Sequence, residues 1–331
     1  MIRRQSIQVV VSAMLVTIAA VLFSVSLLAA QSSPSVVAVL IPGAAYKPVL
    51  EGLREGLSKV GFSKEANIRF LVEEAGGGRE SYDSPAAKLV AAKPDVIVTV
   101  TSASTAAARK ATTVIPIVFT SIGAPVEAGL VASFASSGNN LAGISSYAVP
   151  LSGKRLELLR EITPRSKKVL VIVSVKDPIS QISAQHTEAA AKKIGVQILR
   201  REVANAEDIE KVLVGRWAGA ADAVLAVPSV LTQAKYIEEM IKKANGERLP
   251  LIAYEDTLVT MGALGSYGSN RHLTGLQAAK LVAKLLKGAK PADIPIETPD
   301  RFILSVNLAT AKAIGIRIPR TVLNRADRLV E

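Results

Sequence analysis

The sequence contains no cysteine, and this absence excludes several features at once. No disulfide can form, so the fold depends on the burial of its core alone. A cysteine nucleophile is excluded, and so is a lipid-modified cysteine after a leader segment.

Other groups that carry catalysis are also scarce. The two histidines, His186 and His272, both fall near predicted helices, and no cluster with carboxylates has metal-ligand spacing. There is no G-x-S-x-G nucleophile elbow. Three glycines at residues 76–78 lack the Gly-Lys-Ser/Thr that would complete a phosphate loop, so we interpret them as a flexible turn. The sequence therefore predicts no catalytic residues, no metal site and no cofactor.

Aromatic residues make up 4% of the chain, whereas hydrophobic residues make up 49%, so the core must be aliphatic. An aliphatic, β-branched core is typical of parallel α/β proteins. A length of 331 residues is enough for two domains of ordinary size.

The net charge of +12 comes from basic residues that are scattered along predicted helices. They are not interleaved with aromatic residues or concentrated on one element, as a nucleic-acid reader would require. We interpret them as a solvated basic surface and predict no nucleic-acid partner.

Residues 1–33 have the pattern of a targeting segment. Arg3 and Arg4 precede an uncharged apolar run that ends in small residues near Ala30 and Ser32. We predict a signal peptide that is cleaved near residues 30–32 and a periplasmic mature protein. The apolar run is also long enough to remain as an uncleaved anchor, and that alternative stays open.

Residues 94–127 predict a strand, a helix and a second strand. The first strand ends in Thr101 and Ser102, where an alanine-rich helix begins, and the second ends in Ser121 and Gly123. Free N–H groups at a helix N-terminus attract anions, and ligands bind at strand carboxyl ends in open α/β sheets. The alternative is that these residues only cap helices and form turns.

The whole chain after residue 33 alternates strands and helices, in two runs that join near residues 146–151. The pattern predicts an α/β fold of two doubly wound parallel-sheet domains joined by a multi-strand hinge. We predict an N-terminal lobe of residues 34–147 plus about 256–300, and a C-terminal lobe of residues 148–255 plus about 301–331. Such a hinge suits closure around a ligand.

Several motifs together resemble one known family. They include GLREGLSKVGF at residues 52–62, KPDVIVTVTSASTAAARKATTVIPIVFTSIGAPVEAGLVAS at 93–133, GKRLELLREITP at 153–164 and GALGSYGSN at 262–270. The chain resembles the substrate-binding proteins of ATP-driven importers, in the group that includes tryptophan-binding and other aromatic amino acid-binding members. The resemblance implies a type I periplasmic-binding fold and a monomer that delivers a small solute to a membrane permease and its ATPase.

The resemblance also implies which loops line the cleft between the lobes. The implied residues lie at strand ends: Thr101, Ser102, Ser104, Ser121, Gly123 and Pro125 in the first domain, and Pro228, Ser229, Tyr254 and Glu255 in the second. The chain departs from the family pattern at Ala124, where many members have an acidic residue, and at residues 176–178, where many have Asn-Pro.

An amino acid ligand carries two opposite charges that the site must satisfy. We expect its carboxylate at the N-terminus of the helix that contains Ser104, and its ammonium on Glu255 or Asp256. Both acidic residues could instead cap the following helix. Tyr46, Tyr147 and Tyr254 could stack on an aromatic side chain, although ordinary packing is the alternative for each.

Two other functions fit the same features. A binding protein could present its closed form to a receptor rather than a permease, and an α/β enzyme could act at the cleft. Chemically unchanged ligand after binding would exclude the enzyme.

Overall fold

A computed structural model of the chain describes residues 34–63, 67–75, 82–229 and 235–331. The predicted signal peptide and the glycines at 76–78 lie outside these residues.

The first domain is built on a five-stranded sheet in which every pair of neighbouring strands is parallel, in the order β2-β1-β3-β4-β5. Its strands are rich in Val and Ile, and all residues of β3 and β5 are buried because helices cover both faces of the sheet. The elements are β1 (Ser35–Ile41), α1 (Lys47–Lys59), β2 (Ile68–Glu74), α2 (Asp83–Ala91), β3 (Val96–Val100), α3 (Ser102–Ala111), β4 (Ile117–Ile122) and β5 (Leu141–Ser145).

The second domain contains a seven-stranded sheet in the order β12-β11-β10-β9-β8-β6-β7. All pairs are parallel except β10–β11, which is antiparallel. Its elements are α4 (Ser152–Ile162), β6 (Lys168–Ser174), α5 (Pro178–Ile194), β7 (Gln197–Val203), α6 (Ala206–Val214), β8 (Ala223–Leu225), α7 (Lys235–Gly246), β9 (Leu251–Ala253), α8 (Thr257–Thr260), β10 (Gly265–Gly268), β11 (Ile303–Asn307), α10 (Leu308–Ile314), α11 (Arg320–Leu323) and β12 (Arg328–Val330); helix α9 (Arg271–Leu286) belongs to the first domain. The α/β class with two such domains is confirmed.

Helix α9 returns the chain to the first domain and packs along α1. The two helices approach closely at glycines: a Cβ added to Gly275 would overlap the carbonyl oxygen of Val49 and lie 2.8 Å from the amide nitrogen of Leu53. Apolar residues of α9 join the core of the first sheet. Helix α9 is therefore part of the first domain.

One part of the predicted lobe division differs from the structure. The sequence pattern predicts residues 256–268 in the N-terminal lobe, but β10 pairs with β9 and β11 in the second sheet. The chain thus returns to the first domain at α9, about 15 residues later than the alternation indicated. The other lobe boundaries remain a prediction.

The chain crosses between the sheets three times: after β5, after β10 and before β11. Phe302, just before β11, packs its ring against those of Tyr147, after β5, and Tyr267, in β10, with centroids 6.0 Å apart in each pair. This arrangement gives a hinge of three segments.

Candidate functional site

The carboxyl ends of β1, β3, β4 and β5 lie at one edge of the first sheet, because all four strands are parallel neighbours. Three non-glycine residues there have left-handed backbone conformations: Thr101 with φ 84°, Ser121 with φ 58° and Tyr147 with φ 54°. Residues in such conformations cost free energy and cluster at functional sites. The edge that carries the predicted Thr101, Ser102, Ser121 and Gly123 is therefore a candidate site.

Helix α3 begins at this edge without a side-chain cap. The first N–H groups of a helix have no partner within the helix, so those of α3 can receive an anion. The side chains of Thr101 and Ser102 are partly exposed beside them.

The structure corrects the role predicted for the Ser104 hydroxyl. Ser104 is fully buried, and its Oγ donates to the carbonyl oxygens of Val100 and Thr101. A serine in the first turn of a helix readily makes such bonds to the preceding backbone. The hydroxyl thus stabilises the turn after β3 and is not positioned to contact a ligand.

The loop after β4 lies against the first hinge segment. A Cβ on Gly123 would stand 3.6 Å from Ala148 and Val149, which is ordinary contact. Pro125 begins the following turn and is buried.

A buried ion pair connects the second domain to the first. Glu255 follows β9 and accepts hydrogen bonds from Arg271 at 2.5 Å (Nη2 to Oε1) and 3.2 Å (Nε to Oε2). Arg271, the first residue of α9, also donates from Nη1 to the carbonyl of Ala45. Its guanidinium lies 3.8 Å from the centre of the Tyr46 ring, which is a close cation–π contact. Two predicted residues, Tyr46 and Glu255, therefore meet at a cation that the sequence analysis missed.

Two phenols surround this pair. Burial, reinforced by the negative charge of Glu255, raises the pKa of Tyr46 to about 12. Burial also raises the pKa of Tyr254 well above its usual value, with Glu255 again adding to the effect. Both hydroxyls are neutral at physiological pH and can donate hydrogen bonds to an anionic or polar ligand.

Asp256, the alternative to Glu255, has different partners. It precedes α8 but makes no capping bond. Its Oδ2 accepts from Asn270 at 2.6 Å and lies 3.5 Å from Arg328, and the side chain is buried. These contacts hold β9 to the second hinge segment and the C-terminal strand, so Glu255 is the better candidate for a ligand ammonium.

Tyr147 is held in the hinge by its stacking on Phe302, with ring planes 27° apart. Its predicted contact with a ligand stays a prediction. Pro228 and Ser229 follow β8 and are buried at the carboxyl edge of the second sheet. That edge also carries Tyr254 and Glu255.

A second cation in the hinge was also missed. Arg155 of α4 is fully buried, and it donates to the carbonyls of Tyr267 at 2.8 Å and Ala148 at 2.7 Å. Burial lowers its pKa to about 9, so it stays charged at neutral pH. It joins two of the three hinge segments. The available signal was its spacing: Arg155 stands three, four and seven residues before Leu158, Leu159 and Ile162, on the buried face of the helix.

Among the described residues, no group of three or more His, Asp or Glu side chains could hold a metal ion. Within the same part of the chain, no helix is both long and apolar enough to cross a membrane.

A two-lobed α/β architecture with a three-segment hinge defines the class of type I periplasmic-binding-like proteins. A family model described as ABC transporter substrate binding protein matches residues 35–330. The chain belongs to this family. Its resemblance to the group with tryptophan-binding and other aromatic amino acid-binding members is confirmed.

Individual relatives are consistent with this family. The chain is similar to a tyrosine-binding protein of Clostridioides difficile, with 31% identity over 81% of this chain and 76% of the relative. A conserved domain protein from Vibrio cholerae has a TM-score of 0.80 and 28% identity, covering 90% of this chain and all of that one. A Streptococcus pneumoniae structure in complex with L-Trp has a TM-score of 0.76 and 23% identity over the same shares, which shows the shared fold.

Proposed function

We propose that the protein captures a free amino acid with an aromatic side chain between its lobes and delivers it to the permease and ATPase of an importer. The observation that carries this proposal is the meeting of Glu255, from the second domain, with Tyr46 and Arg271, from the first. Binding at the junction of two lobes couples the ligand to hinge closure.

The polar ends of the ligand are assigned from local chemistry. The carboxylate lies on the free N–H groups of α3, beside Thr101 and Ser102, and the ammonium lies on Glu255. The rings of Tyr46 and Tyr254 flank the side chain of the ligand. The relative named as a tyrosine-binding protein and the neighbour solved with L-Trp support an aromatic amino acid.

The remaining features complete the proposal. The protein acts as a monomer outside the cytoplasmic membrane, where substrate-binding proteins of this family function, after cleavage of the leader near residues 30–32. It binds its solute without making or breaking a bond.

A thermal-shift screen of the mature protein against the twenty amino acids tests the proposal, with chromatography of the ligand after incubation. We expect saturable stabilisation by L-tyrosine or L-tryptophan, with the ligand recovered unchanged. Formation of a product, or stabilisation by none of the amino acids, would overturn it.

A further inference from the structure

We propose that Arg271 and Glu255 select the ligand by requiring both of its charges: their ion pair is exchanged for one bond to the carboxylate and one to the ammonium of a free α-amino acid. This inference rests on the proposed function and adds the two residues that make binding depend on both charges of the ligand.

The first step is that Arg271 and Glu255 belong to different domains. Arg271 begins α9, which is fixed to α1 by the close glycine contact at Gly275. Glu255 follows β9 of the second sheet. The pair therefore lies between the domains, where a ligand must enter.

The second step concerns the hydrogen-bonding capacity of the guanidinium. Arginine has five N–H donors. Nε and Nη2 each donate to Glu255, and Nη1 donates to Ala45. Nε and Nη2 thus form the pair of N–H groups through which a guanidinium binds a carboxylate, and the ligand carboxylate takes the place of the Glu255 carboxylate on them. The cation–π contact with Tyr46 holds the plane of the guanidinium in place.

The third step is the position of the exchange. Tyr46 follows β1, and β1 pairs directly with β3, whose end leads into the free N-terminus of α3. We place the ligand carboxylate between these neighbouring strand ends, on Arg271 and on the N–H groups of α3. The ammonium then stays with Glu255, as in the proposed function.

The fourth step is the cost of a mismatch. The side chains of Arg271 and Glu255 are only 7% and 17% exposed. A ligand with a carboxylate alone engages Arg271 but leaves Glu255 buried without a full partner, and an amine alone does the reverse. Leaving one buried charge unpaired weakens binding by about 100-fold or more.

Titration calorimetry on the mature protein tests this selection with L-tyrosine, 3-(4-hydroxyphenyl)propionate and tyramine, which differ only in their charged groups. We expect wild-type protein to prefer L-tyrosine over each analogue by about 100-fold or more. In Glu255→Gln the preference over the propionate should shrink to a few-fold, because the variant has no charge for the ammonium. Arg271→Lys keeps the positive charge but loses the paired N–H donors of the guanidinium. In this variant, affinity for L-tyrosine should fall, while affinity for tyramine should change little.

Asp300→Asn serves as the matched control, because its ion pair with Lys280 is exposed. It should leave all three affinities unchanged. If Glu255→Gln retains the full wild-type preference, or if wild type binds the analogues as tightly as L-tyrosine, the inference fails while the proposed function stands. If wild type binds no amino acid, both fail.

Discussion

The close contact between α1 and α9 can be tested by mutation, and it matters because α9 carries Arg271 to the site. Replacing Gly275 by Ala introduces a Cβ that would overlap the carbonyl of Val49 and lie 2.8 Å from the amide of Leu53. Both obstacles are backbone atoms of α1, so the helices must separate. Overpacking of this kind costs about 3 kcal/mol or somewhat more. The higher helix propensity of Ala offsets about 1 kcal/mol of it.

We therefore expect Gly275→Ala to lower the free energy of unfolding by about 2 kcal/mol or more, measured by urea denaturation. Gly246→Ala is the matched control: Gly246 ends α7, and a Cβ there meets nothing within 4 Å. That variant should gain up to about 1 kcal/mol from propensity alone. Equal stability of Gly275→Ala and wild type would refute the close packing, and so would an equal loss in both variants.

Two further predictions concern the strand ends. Ser104→Ala should change ligand affinity by no more than about twofold and should lower the free energy of unfolding by about 1 kcal/mol, because the Ser104 hydroxyl donates to the backbone. A tenfold loss of affinity, measured by calorimetry, would instead place that hydroxyl in the binding site. The pKa of Tyr46, raised to about 12 by burial, predicts that stability falls as pH rises from about 10 to 12, because the unfolded chain loses the phenolic proton first. The loss of unfolding free energy due to this group is about 2 kcal/mol. It should be absent from Tyr46→Phe when both proteins are denatured at a series of pH values. If wild type and Tyr46→Phe show the same dependence on pH, Tyr46 is not a buried, neutral phenol.

The sequence predicts the architecture because the β-branched runs are buried on both faces of the sheets. Residues 96–100 and 141–145 show this directly, since every side chain is buried. Alternation of elements cannot show which sheet a strand joins, and for this reason it predicts the wrong lobe for the segment 256–268. Its strand β10 joins β9 through pairing that no local pattern encodes.

The candidate site was predictable only where it lies at strand ends. Thr101 and Glu255 follow strands and Ser121 lies near the end of β4, so these residues could be identified by position. Arg271 could not, because its partners Glu255 and Ala45 are distant in sequence and meet it only after the chain has crossed the hinge. For Ser104 the residue type suggested a ligand contact, and the backbone of its own helix turn proved to be its partner.

Mass spectrometry of the small molecule that copurifies with the mature protein tests the central claim most directly. The account predicts an α-amino acid with an aromatic side chain, released intact on denaturation. A ligand with neither a carboxylate nor another anionic group would contradict the assignment of the α3 N-terminus and Arg271 to its recognition.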